Sequence, residues 1–204
     1  MQTSGTAEAI SGRATGVVFF AGFGSLWLFN GLTAMHRMNS IGVAALFLMA
    51  AALIVPAAML LRSTAGGKSA QAGLEESDVA RALEVKRGFR RVNLYQWTSI
   101  VASIVFFNLL QRPEYLAPVI TFLVGIHLIP LARLFRYRPH YATGTLLMLW
   151  ATFLACALPG EAMPSVGSIG TAVILLGSAI YTLATAGRAA RSQGVSGKLF
   201  PAQV

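Results

Sequence analysis

Apolar positions along this chain run on without a break instead of alternating or recurring on one helical face. Residues 15–34, 41–61, 92–110, 115–135, 143–158 and 168–186 are almost wholly apolar or small, and the charged residues gather between them. Each run reaches or approaches the ~17–25 residues needed to cross about 30 Å of hydrocarbon at ~1.5 Å of helical rise per residue. A soluble helix of that length would keep one polar face for water, and these runs leave almost none. The pattern predicts an all-α, polytopic transmembrane helical bundle with six spans, the fifth being the shortest.

Composition supports this reading. Hydrophobic residues make up 55% of the 204 and charged residues 11%, which a single soluble core could not accommodate. The chain is long enough for one compact bundle, so residues 1–204 read as a single integral membrane domain. The first run is too long for the apolar core of a secretion signal and lacks a small-x-small cleavage pattern after it, so it reads as a span. The lone Cys156 lies inside the fifth run, which excludes an intrachain disulfide or a multi-cysteine metal site.

Charge sets the expected orientation. With the N-terminus in the cytoplasm, the inside segments hold fourteen basic and five acidic residues, an excess equal to the chain's +9. Outside, Arg37 and Arg112 balance Glu114 and Glu161. This positive-inside bias places both termini in the cytoplasm, with the bacterial inner (cytoplasmic) membrane as the expected location. Attraction to anionic headgroups of the lipid bilayer follows on that side. A nucleic-acid partner is not expected, because the recognition elements that such a charge would accompany are absent.

Punctuation between the runs predicts short connections, except at residues 63–91. This connector begins rich in Gly, Ala and Ser, then from residue 75 carries an acidic start and a strongly basic end, an order that suits the helix dipole. It is expected to contain an amphipathic cytoplasmic helix, which either rests on the membrane or runs into the third span despite Gly88. Residues 15–110 and 115–187 show no convincing match to each other, so an internal repeat is not supported.

Candidate chemistry is sparse. His127 is expected near the middle of the fourth span, where a polar group must face protein or an aqueous cavity. Pro130 and Gly125 flank it, the first withdrawing a backbone donor and the second permitting close backbone approach, so together they are candidates for a helix distortion. Gln96 and Ser99 recur with Ser103 at helical spacing on the third span. With Tyr181 from the sixth span and Arg133 at the cytoplasmic end of the fourth, they could line a cavity or substrate-binding site around His127; equally, the polar stripe could hold helices together. Arg136, Arg138 and His140 form a basic connection suited to headgroup contact. The three histidines belong at different depths, and no paired carboxylates accompany them, so neither a metal site nor any other cofactor is expected, and no catalytic residue is assigned.

These features support a small-solute transporter or permease, with a noncatalytic membrane subunit or scaffold as the alternative and a lipid-modifying enzyme behind both. A homo-oligomer or a protein partner is compatible with each.

Overall fold

The computed structural model describes residues 3–69, 76–135 and 137–192. Six helices follow one another: α1 (Thr3–Ala34), α2 (Ser40–Ser69), α3 (Glu76–Leu109), α4 (Leu116–Leu134), α5 (Pro139–Ala157) and α6 (Met163–Ser192). Short 3-10 turns at Pro113–Tyr115 and Gly160–Ala162 lead into α4 and α6. Each of the six helices contains a stretch long and apolar enough to cross a membrane, the fifth being the shortest at 19 residues. The protein is an all-α, six-span integral membrane bundle. Helices suit this setting because each satisfies its own backbone hydrogen bonds where no water is available.

Antiparallel succession gives the bundle two unlike ends. Arg62, Lys86, Arg87, Arg90, Arg91, Arg133, Arg138 and Arg188 cluster at the end that holds the α2–α3 and α4–α5 connections. At the opposite end, α1 and α3 stop in the same way. His36 and Gln111 take left-handed backbone conformations, with φ of 54° and 55°. Arg37 N–H then donates to the Leu32 carbonyl and Arg112 N–H to that of Phe107, both at 2.9 Å, which satisfies carbonyls the helix itself leaves open.

The core lies along α1 and α6, the most extensively packed pair. Ala14, Val17, Ala21, Gly24 and Gly31 recur on α1 at steps of three, four, three and seven, and all are buried. Opposite them on α6, Ala172, Leu175, Leu176, Ala179 and Ala186 are buried too. Small residues let the two backbones approach, and dispersion across that close contact is what holds helices together in lipid. A Cβ on Gly24 would stand 2.8 Å from Leu176 Cγ, and one on Gly31 would stand 2.7 Å from Ile169 Cγ1. The pair α4 and α5 packs on α6, while α2 lies against α1.

α3 occupies the rim. It packs chiefly on α4 and reaches α1 where Phe89 meets the Phe19 ring edge-on at 6.4 Å. The expected connector helix and the third span form one continuous helix from Glu76, with Gly88 accommodated against Leu134. α2 extends to Ser69, so much of the expected flexible part of the connector is helical, and 70–75 lie outside the described residues.

Candidate functional site

The residues expected to share one cavity divide among three places. His127 is half-buried on α4 and faces the main chain of Val92 on α3. Gln96 and Ser99 are half-buried on the same α3 face as Gly88 and Val92, so the α3–α4 seam gathers these two with His127. Tyr181 is not part of that seam: it is 58% exposed on α6, away from α3. Arg133 is exposed at the basic end. Pro130 stands within an α4 that continues to Leu134, and Gly125 is buried against α5.

Of the expected headgroup contacts, Arg138 is exposed and Arg136 lies outside the described residues. His140 turns inward and is only 5% exposed. Its position as the second residue of α5, just after Pro139, carries the ring under the connection and against α1.

A different set of polar residues meets inside the bundle. At its edge the exposed Asn30 donates from Nδ2 to the buried Ser168 Oγ at 3.0 Å, linking α1 to α6. Thr121 and Thr171, both fully buried, join α4 to α6 at 2.8 Å. Because Thr171 also donates to the Gly167 carbonyl at 2.8 Å, its single proton is taken, and Thr121 must be the donor between the two hydroxyls. Thr143 and Ser178 join α5 to α6 at 2.9 Å, and Ser178 donates onward to the Ile174 carbonyl. Tyr137 O–H donates to Thr182 Oγ1 at 3.2 Å, tying the α4–α5 connection to α6.

The signal for this seam was present in the sixth run, where Ser168, Thr171, Ser178 and Thr182 fall at steps of three, seven and four, and so on one helical face. Leu175 fills the gap in that stripe and is buried with it. The stripe on the third run was equally regular, yet it lies at the rim.

At the basic end the seam closes on His140. Its imidazole lies near perpendicular to the rings of Phe20 and Tyr137, with centroids 5.2 Å and 4.9 Å away. Gly16 of α1 lies beside the ring, where a Cβ would stand 3.4 Å from His140 Cε1, in contact with it. Arg13 covers Tyr137, with its guanidinium carbon 5.6 Å from the ring centroid. Nδ1 of His140 is the one buried side-chain nitrogen or oxygen among the described residues with no hydrogen-bond partner. Such an atom opposes the packed state by about 1–3 kcal/mol.

Toward the opposite end, α4 and α5 border an apolar groove of about 260 Å³ that Tyr115, Val119, Phe122, Ala151 and Ala155 help to line. Its walls offer contact for hydrocarbon and little for a polar solute.

No family model matches this chain, and neither does any curated protein or solved structure.

Proposed function

We propose that this integral membrane protein is a noncatalytic subunit or scaffold, which organises neighbouring membrane components through its outer helices. The observation that carries this reading is the mutual pairing of interior polar groups. Thr121 with Thr171, Thr143 with Ser178 and Tyr137 with Thr182 bond to one another across helices. A polar side chain already bonded to its neighbour in a low-dielectric interior serves packing and not solute passage. The rim helix α3 complements this closed interior, because its outer face exposes Leu94, Val101, Val105 and Leu109. In this reading the basic end faces the cytoplasm and its anionic headgroups, in keeping with the positive-inside bias.

Purification from the native membrane in mild detergent tests it. A stoichiometric partner chain, retained by the unaltered protein and lost when Val101 and Val105 are both changed to Trp, is the expected result. Saturable solute uptake by the protein alone in vesicles would overturn it.

One observation favours transport as a second reading. His140 Nδ1, buried beside the basic end without a partner, is a polar atom that a solute could engage when the α1–α5 contact opens. The same uptake measurement with His140→Phe decides between the two, since a transported solute that uses Nδ1 would lose it in that variant.

A further inference from the structure

We propose that Arg87, Arg90 and Arg91 form a binding site on α3 for the phosphate-bearing headgroups of anionic phospholipids. The inference rests on the reading that the basic end meets a leaflet's headgroup layer, and it narrows a diffuse attraction to one helical turn.

The three arginines stand at i, i+3 and i+4 of an unbroken helix, so they share one face, with neighbouring Cβ atoms about 5–6 Å apart. All three are exposed. That face is turned away from the bundle, because Gly88 lies against Leu134, Phe89 packs on Phe135 with ring centroids 6.1 Å apart, and Val92 faces His127, all from the other side of α3. One turn farther along the arginine face comes Leu94, 65% exposed, followed by Trp97 and Val101. The passage from guanidinium to hydrocarbon contact therefore takes a single turn, which matches a lipid's own passage from phosphate to acyl chain.

Electrostatics asks for an anion here. Three guanidiniums within one turn repel one another, and among the described residues the only ion pair is Arg112 with Glu114, at the opposite end of the bundle. Arginine's planar donors match phosphate oxygens in pairs, which a lysine's point charge does not. A zwitterionic headgroup brings its own ammonium to the same place, so the site selects lipids of net negative charge.

The test uses full-length protein in detergent, supplied with equal phosphatidylglycerol and phosphatidylcholine, with bound lipid counted by native mass spectrometry. Wild type is expected to retain phosphatidylglycerol in preference, and the triple change Arg87→Gln, Arg90→Gln, Arg91→Gln to reduce that preference about a hundredfold. The triple lysine variant should keep part of it, and Arg37→Gln, at the opposite end, all of it. Should the triple glutamine variant fail to fold, the three single glutamine variants are read instead, each expected to lower the preference. An unchanged preference in the glutamine variants overturns the proposal, as does displacement of phosphatidylglycerol by millimolar inorganic phosphate, which would mark a free-anion site. Loss of lipid preference with a protein partner still retained leaves the scaffold reading and this site both standing. Lipid preference without any partner removes the scaffold reading alone.

Discussion

Gly125 of α4 and Gly144 of α5 meet backbone to backbone: a Cβ on either one would stand 2.7 Å from the carbonyl oxygen of the other. The relationship is reciprocal, and its neighbours are main-chain atoms that cannot swing aside. Gly125 therefore acts on the close approach of two helices, and the α4–α5 groove lies farther along the same pair.

Alanine at either position is expected to force the helices apart and destabilise the bundle by about 1–3 kcal/mol. The double variant should cost less than the sum of the two, because the first methyl already makes room for the second. Thermal unfolding of Gly125→Ala, Gly144→Ala and the pair in one detergent measures both effects. Additive losses would show that the two sites do not share a contact.

The proton order in the Thr121–Thr171 pair gives unequal outcomes. Thr171→Val deprives Thr121 of its acceptor and leaves that hydroxyl buried and unpaired, at about 1–2 kcal/mol. Thr121→Val removes only the donor, since Thr171 keeps its bond to Gly167, and should cost less. Unfolding of both single variants and the double variant checks the asymmetry; a larger loss in Thr121→Val reverses the assigned direction.

His140→Phe keeps an aromatic ring in the slot between Phe20 and Tyr137 while deleting the unpartnered nitrogen. It should raise the stability of the bundle by about 1 kcal/mol, whereas His140→Ala should lower it by about 2 kcal/mol through the cavity left behind. A melting temperature in His140→Phe below that of the wild type would mean that the nitrogen has a partner in the membrane.

The left-handed cap at His36 calls for the opposite kind of change. Glycine adopts φ near 54° without the Cβ clash that histidine bears, so His36→Gly is expected to stabilise the end of α1 by about 1 kcal/mol. Slower backbone amide exchange over residues 32–37 would register the gain.

Orientation is open to a direct measurement once native Cys156 is replaced by Ser. Single cysteines at Asn39 and Glu161 should react with a membrane-impermeant maleimide added to intact cells, and those at Arg62 and Arg138 only after lysis. The reverse pattern would turn the positive-inside reading over.

The six spans were legible from sequence because hydrocarbon demands a local quantity, an unbroken apolar run of sufficient length, and each run carries that information by itself. Expected and observed spans overlap throughout and agree closely at 41–61 against Ser40–Arg62 and 115–135 against Pro113–Leu134, while the third and sixth begin earlier than expected, at Leu83 and Gly160. Gly125 was legible in kind, as a place of close approach, although its partner Gly144 was not.

Which helix faces touch was decided only in three dimensions. Gln96 with Ser99 on the third span and Thr171 with Ser178 on the sixth present equally regular polar stripes, yet the first lies at the rim and the second lines the core. Lipid is as apolar as a helix surface, so burial inside the bundle leaves no hydrophobic signature in the sequence. Helix partners are chosen by shape, through glycines such as Gly24 and Gly125, and by pairs of hydroxyls whose members lie far apart along the chain. His140 shows the same division: its place near the basic end followed from the run boundaries, while its burial against Phe20 of α1 and Tyr137 was decided by tertiary packing.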